Sequence, residues 1–191
     1  FVCCSPAWSP YFSGHLLRGS LHVEVRRGGA TRLTYSERVG GERMTFQGVG
    51  TPAGRTVCAL LHAERDAFPL FFSLYLPGTP ASAVAGIMAG STYLAQEARP
   101  TACRFAAVQV PDTAALDEGN RYFQPTPDAV AADLAALGLS AAAAAEAETS
   151  VLALLRGGAA MDQVEFAEQT RIAEAVDRGW LLQHQPHREP V

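Results

Sequence analysis

The feature that most constrains the fold is a series of short alternating segments in the first 110 residues, separated by turn residues and not by helical stretches. In Leu21–Val25 and Thr31–Arg38, apolar and polar residues alternate, which is the period-2 pattern of a half-buried strand. Gly28–Gly29 and Gly40–Gly41 mark turns between such segments. The whole series predicts strands at Tyr11–Arg18, Leu21–Val25, Thr31–Arg38, Arg43–Val49, Thr56–Ala63, Phe68–Leu76, Val84–Tyr93 and Ala102–Val110.

These segments recur at intervals of about 10–14 residues, which is typical of antiparallel all-β folds. Parallel strands need long crossover connections, usually helical, and none is present here. The pattern therefore predicts an antiparallel β meander of seven to eight strands, as a curved sheet or a barrel. Pro111 ends the last of them.

After Pro111 the periodicity becomes helical. Thr126 and Pro127 form a helix start, and Gly138 a helix end. Ser140 caps a second helix that runs through Arg156. A third helix is predicted from Gln163 to Arg178, with Asp162 as its cap and Gly179 as its end. The fold class is therefore α+β, an antiparallel β unit followed by a three-helix region.

Charge divides the chain at the same point. Residues 1–111 carry a net charge of +4 and residues 112–191 one of −8. We interpret 1–111 as an antiparallel β sensor-like domain, 112–125 as a linker, 126–184 as an acidic helical region and 185–191 as a loose tail. Phosphate binding needs clustered cations, so we expect no direct nucleic-acid contact by this chain.

The sequence lacks the residues that several classes of enzyme chemistry require. All 15 basic residues are arginine, which excludes a P-loop lysine and a Schiff-base lysine. No serine lies in a nucleophile elbow, and the five histidines lack the spacing of metal ligands. We therefore expect no metal, no cofactor and no enzyme activity.

The four cysteines, Cys3, Cys4, Cys58 and Cys103, do not follow a zinc or disulfide pattern and read as cytosolic thiols. The longest apolar run, Phe68–Leu76, is much shorter than the ~20 residues of a spanning helix. We expect a cytoplasmic protein without membrane contact. Because the chain begins with Phe1, we also expect that a segment upstream is missing.

Two arginines are candidate anchors for an anionic ligand. Arg104 lies in the otherwise apolar strand Ala102–Val110, where an inward guanidinium would need a counter-charge or a ligand. The alternative is an outward Arg104 on an exposed sheet face. Arg65 lies in the cluster Glu64–Asp66, which reads either as the edge of a site or as a polar hairpin loop.

Four apolar side chains are candidates for a pocket wall: Phe46, Phe72, Tyr75 and Met88. The small residues of Ala83–Gly90 would leave room beside them, although aromatic residues of this kind more often form core.

Five segments follow one another in the order Met44–Gly48, Leu60–Arg65, Phe71–Leu76, Gly86–Gly90 and Pro100–Arg104. This order resembles the region that follows the helix-turn-helix in bacterial XRE-type transcription regulators, over residues 42–110. The resemblance implies a region that senses a ligand or mediates assembly. The DNA-binding helices are not in this sequence.

The resulting hypothesis is a regulatory, ligand-sensing domain that binds a small apolar or anionic ligand, self-associates, and signals through its C-terminal helices. Two alternatives stay open: a protein-interaction or oligomerisation module without a ligand, and a small enzyme whose site is assembled from distant residues.

Overall fold

The computed structural model describes residues 1–25, 31–63, 69–75, 82–91, 99–157 and 166–183. These residues form nine strands and three α-helices. The strands are β1 (Val2–Pro6), β2 (Leu16–Val25), β3 (Thr31–Val39), β4 (Glu42–Ala53), β5 (Thr56–Ala63), β6 (Pro69–Tyr75), β7 (Ala83–Ser91), β8 (Pro100–Val108) and β9 (Arg121–Phe123). The helices are α1 (Ala129–Ala136), α2 (Ala141–Arg156) and α3 (Phe166–Gln183).

Strands β1 to β8 form a closed antiparallel barrel. Each strand pairs with the next along the chain, and β8 returns to pair with β1. The short β9 is added to β2 outside this cycle. The predicted fold class is confirmed, and of the two forms the sequence allowed, the sheet adopts the barrel.

The predicted first strand, Tyr11–Arg18, is confirmed only at its end, where Leu16–Arg18 begin β2. Tyr11 and Phe12 belong to a 3₁₀ turn, Pro10–Phe12, in which the Ser9 hydroxyl accepts a hydrogen bond from the backbone N–H of Tyr11. The chain enters the barrel earlier, with β1. Both faces of β1 are buried, Cys3 inside the barrel and Val2 and Cys4 under the helices, so it shows no alternation for sequence reasoning to detect.

Side chains fill the barrel interior. The rings of Tyr35, Phe46, Phe72 and Phe105 pack with Leu61 and other aliphatic side chains, all of them buried. Tyr35 contacts Phe72 and Phe105 edge to face, with ring centroids 5.6 and 6.1 Å apart. This is the packing expected of an eight-stranded barrel, whose lumen is just wide enough for side chains to fill or for one small ligand.

Two inward glycines let neighbouring strands approach where the sheet bends. A Cβ at Gly86 would lie 2.0 Å from the carbonyl oxygen of Ser73, and one at Gly48 would lie 2.2 Å from that of Leu60. No other residue fits at these positions without moving the adjacent backbone. The glycines thus provide the curvature that closes the barrel.

The helices cover one side of the barrel. Val2, Ala85, Ala106 and Val108, on the outer faces of β1, β7 and β8, form a single apolar cluster with helical side chains. The helical members include Leu134, Ala147, Val151, Leu154, Ile172 and Val176. In the described part of the chain, no helix is both long enough and apolar enough to cross a membrane.

The helix ends predicted from the sequence agree with the structure only in part. Ser140 caps α2 and Gly157 ends it, as predicted. The first helix begins at Ala129, not next to Thr126, because its free N–H groups find a partner in another helix. Glu148 of α2 accepts hydrogen bonds from the backbone N–H groups of Asp128 at 2.8 Å and Ala131 at 2.7 Å.

Gly179 does not end the third helix, which continues to Gln183. A Cβ at Gly179 would lie 2.2 Å from the Cβ of Ala143 on α2. The glycine therefore serves close helix–helix packing and not termination. The predicted start of this helix at Asp162, the turn at Gly28–Gly29 and the tail 185–191 lie outside the described residues.

Candidate functional site

At one end of the barrel, the wall is not formed by direct pairing of β2 with β3. Their pairing ends at Ser20 and Ser36, and beyond this point Leu16–Arg18 of β2 pairs with β9 instead. Asn120, just before β9, bridges the last pair: its Nδ2 donates to Ser20 Oγ at 3.1 Å and to the carbonyl of Ser36 at 2.9 Å. We call this part of the wall the seam.

Glu37 points from β3 into the barrel beside the seam and is only 4% exposed. The phenol of Tyr35 donates a hydrogen bond to its Oε2 at 2.8 Å. Burial raises the pKa of Glu37 to about 7, although the Tyr35 hydrogen bond acts in the opposite direction. A carboxylate can accept about four hydrogen bonds, and among the described residues Tyr35 alone donates one.

Tyr35 is held in place by the strand beside it. A Cβ at Gly19 would lie 2.7 Å from the Tyr35 ring and hydroxyl, so the ring occupies the space that a larger residue at position 19 would fill. Burial, together with the nearby Glu37 carboxylate, raises the pKa of Tyr35 well above its usual value. The phenol therefore stays protonated and keeps its proton directed at Glu37.

Tyr122 closes the seam. It lies opposite Leu17 in the β2–β9 pairing, and its ring stacks on Phe12 with centroids 4.1 Å apart and planes 5° from parallel. Burial raises the pKa of Tyr122 to about 12, and the nearby charge of Glu37 adds to this effect. Both rings of the Phe12–Tyr122 stack are half-buried, and Tyr122 lies near enough to Glu37 for the carboxylate charge to act on its pKa.

A surface pocket of about 310 Å³ borders this stack. It is lined by Ser13, Gly14, His15, Gln124, Pro125 and Thr126. Ser13 directly follows Phe12 in the chain, and His15 contacts the Phe12 ring edge to face. The pocket thus adjoins Phe12 of the aromatic stack, and the Tyr122 ring of the same stack lies near the buried carboxyl group of Glu37.

A second buried polar group lacks a partner. Ser5 is 1% exposed, and no described group hydrogen-bonds its Oγ. It lies on β1 two residues after the inward-facing Cys3, opposite Leu17, which is also the partner of Tyr122. Ser5 and Glu37 thus leave unused hydrogen-bonding capacity at the same end of the barrel.

A separate polar cluster lies on the outer side of the seam. Asp117 accepts hydrogen bonds from Ser20 and Arg43, and His22 Nε2 lies 3.4 Å from its Oδ1. Burial acts to raise the pKa of Asp117, but Ser20, His22 and Arg43 outweigh it and the pKa lies below its usual value. A catalytic triad needs the imidazole between hydroxyl and carboxylate, whereas here Asp117 is central.

The structure places the sequence-predicted site residues in different regions. Phe46, Phe72 and Met88 are fully buried inside the barrel, with Phe72 and Met88 directly opposite each other on β6 and β7. Tyr75 alternates with the inward-facing Leu74 and lies half-buried on the outer surface. Arg65 lies outside the described residues.

Arg104 faces away from the barrel interior but is buried beneath the helices. Its Nη1 donates to the carbonyl of Leu154 on α2 at 3.0 Å and to Glu168 Oε1 on α3 at 2.9 Å. The alternative prediction, an outward Arg104 on an exposed sheet face, is wrong because α2 and α3 cover this side of the sheet. The counter-charge expected of a buried arginine is Glu168.

Sequence reasoning missed Glu37, Asn120 and Tyr122. A signal for Glu37 was present: in Leu33, Tyr35, Glu37 and Val39 it occupies an inward position of an otherwise apolar alternation. The other two lie in what read as a linker. Their positions depend on β9, whose three residues carry no recognisable pattern.

Within the described residues, no group of three His, Cys, Asp or Glu side chains could hold a metal ion. The four cysteines form no disulfide, and burial raises the pKa of the Cys3 and Cys4 thiols far above neutrality. Comparison of the chain with protein-family models, curated proteins and solved structures found no match.

Proposed function

We propose that this chain is a ligand-sensing domain whose barrel binds a small molecule at the seam and whose helices transmit the binding event. The observation that carries the proposal is Glu37. It is a carboxyl group buried in an apolar interior with one described hydrogen-bond donor.

Burial of such a group is costly for folding. An ionised carboxylate in a low-dielectric interior loses its hydration, and one hydrogen bond does not replace it. An apolar side chain at position 37 would suit the apolar residues around it as well as Glu37 does. Perturbed carboxyl groups of this kind are characteristic of functional sites, which favours a ligand that completes the hydrogen bonding of Glu37.

The seam supports entry of the ligand at this point. At the seam, the pairing of β2 with β3 ends at Ser20 and Ser36, and β9 adds three residues to the wall beside β2. The half-buried rings of Tyr122 and Phe12 stack at the seam, and side chains change rotamer far more easily than a strand pair separates.

A salt-bridge relay links the seam to the helices. Asp133 of α1 pairs with Arg121 of β9 at 2.9 Å and with Arg18 of β2 at 3.3 Å. Movement of β9 on ligand binding would change both contacts. Arg104 joins β8 to α2 and α3 in a similar way. Together with the resemblance of residues 42–110 to the sensing region of XRE-type regulators, these contacts support a regulatory role.

Native mass spectrometry of the purified chain, followed by denaturation of the same sample, tests the proposal. We expect an added mass that is released on unfolding and is lost in Glu37→Gln. Glu174→Gln, which changes an exposed carboxyl group on α3, is the matched control and should retain the added mass. A ligand-free spectrum, together with no thermal shift from cationic, neutral or anionic small molecules, would contradict the proposal.

A second candidate function is a protein-interaction module. Val49, Leu60 and Phe71 are cross-strand neighbours on the uncovered face of β4, β5 and β6, and their exposed fractions are 56%, 50% and 41%. Adjacent exposed apolar side chains are a feature of interaction surfaces. If this function is the main one, Leu60→Glu changes the oligomeric mass of the chain in solution, whereas Glu37→Gln leaves it unchanged.

A further inference from the structure

We propose that the ligand of the seam is a small organic cation, an amine or amidine joined to a flat apolar group. This inference rests on the proposed function and specifies the chemistry of the same site. It replaces the apolar or anionic ligand expected from the sequence.

The charge around Glu37 favours a cation. The arginines on the described barrel strands, Arg18, Arg32, Arg38, Arg43 and Arg104, all alternate to the outer surface. None of these guanidinium groups shares the interior with Glu37. A ligand cation would supply the missing counter-charge and donate hydrogen bonds to the unused carboxylate oxygens, whereas an anion would be repelled.

The aromatic residues near Glu37 also favour a cationic ligand. The Tyr35 phenol donates a hydrogen bond to Glu37, and Tyr122 of the Phe12–Tyr122 stack lies near enough to Glu37 to be affected by its charge. Aromatic faces attract cations and offer a stacking surface to a flat apolar group. When Tyr122 turns aside, Phe12 remains to stack on the ligand, and the cation reaches Glu37.

The size of the site limits the ligand. The outer pocket of about 310 Å³ is at the lower end of the range for small-molecule sites. The polar lining residues Ser13, Gln124 and Thr126 can hydrogen-bond a part of the ligand that stays near the surface. The hydroxyl oxygen of Ser5 accepts a hydrogen bond from a further N–H group of the ligand inside the barrel.

Three probes that share one ring test the inference: benzylamine, benzyl alcohol and benzoate. Binding is followed by the chemical shifts of the backbone amides of Glu37, Asn120 and Tyr122 as each probe is titrated. We expect benzylamine to shift these amides, and Glu37→Gln to weaken its binding about tenfold or more. Glu174→Gln should bind benzylamine like the parent chain.

The outcomes separate this inference from the proposed function. Binding of benzyl alcohol or benzoate in preference to benzylamine would overturn the cation assignment while leaving a small-molecule site at the seam. Benzylamine binding that Glu37→Gln does not weaken would also overturn it. If none of the three probes binds and the mass spectrum is ligand-free, both proposals fall. Glu37→Gln is close in size to the parent residue, so loss of binding can be separated from loss of folding by its thermal melt.

Discussion

At the scale of single residues, the environment of Glu37 conflicts with its chemistry. Its neighbours on the inward face of β3 are Leu33, Tyr35 and Val39, all buried. Burial in this setting raises the pKa of the Glu37 carboxyl group to about 7. Arg104 also sits among apolar residues, but Glu168 supplies its counter-charge. Of these two buried charged residues, Glu37 is therefore the one whose charge the fold leaves unmatched.

The raised pKa of Glu37 predicts how stability depends on pH. The unfolded chain releases this proton near pH 4.5 and the folded chain near pH 7, so between these values the folded state binds more protons. Stability then falls as pH rises through this window, by on the order of 3 kcal/mol. Glu37→Gln should remove the slope and be more stable than the parent chain at pH 8.

Urea unfolding at pH 4.5, 6 and 8 measures this dependence. Glu174→Gln, an exposed carboxyl change on α3, should keep the slope of the parent chain. An equal slope in Glu37→Gln and the parent chain would show that other groups dominate this pH range.

At the scale of elements, the three residues of β9 decide the character of the site. They occupy the position beside β2 that the end of β3 leaves, and they bring Tyr122 near Glu37. Arg121 and Asp133 connect the same element to α1. The candidate site and the contact with α1 thus both depend on a segment that reads in the sequence as a linker.

The contact between α2 and α3 gives a prediction about Gly179. Replacing glycine by alanine inside a helix normally adds about 1 kcal/mol of stability. Here the new methyl group would collide with Ala143, so we expect Gly179→Ala to destabilise the protein by about 1–3 kcal/mol. Adding Ala143→Gly should recover most of this loss, because it restores the space.

A double-mutant cycle by chemical denaturation measures the coupling between positions 143 and 179. Ala145→Gly, at an exposed position of α2, is the matched control and should combine additively with Gly179→Ala. Additive behaviour of the 143–179 pair would contradict the close packing of these helices.

At the scale of the whole molecule, the barrel and the helices pack around a common core. Val2, Ala106 and Val108 of the barrel share a core with Leu134 and Ile172 of the helices. The division at Pro111, evident in charge and periodicity, is thus a division of secondary structure within a common core.

This shared core predicts that the barrel is not stable alone. A chain ending at Pro125 would expose the apolar outer faces of β1, β7 and β8. We expect it to bind the dye ANS strongly and to aggregate or lose its near-ultraviolet circular dichroism, unlike the full chain. A monomeric shortened chain with the spectrum of a packed barrel would show that the helices are an independent addition.

The sequence by itself determined the features that depend on neighbours along the chain. Alternation in Thr31–Arg38, the turn at Gly40–Gly41 and the cap at Ser140 are each written in a few adjacent residues, and all are present in the structure. The antiparallel class followed from the lack of crossovers. These features are local because strand pleating, turn geometry and helix capping involve residues only a few positions apart.

The tertiary structure decided what depends on partners far along the chain. The pairing of β1 with β8 closes the barrel, and the helix layer makes Arg104 a buried ion pair and not an exposed arginine. The site arises because β9, about 100 residues after β2, takes up the place that β3 leaves. Local patterns cannot encode such pairings, since the burial of a side chain depends on which distant segment packs against it.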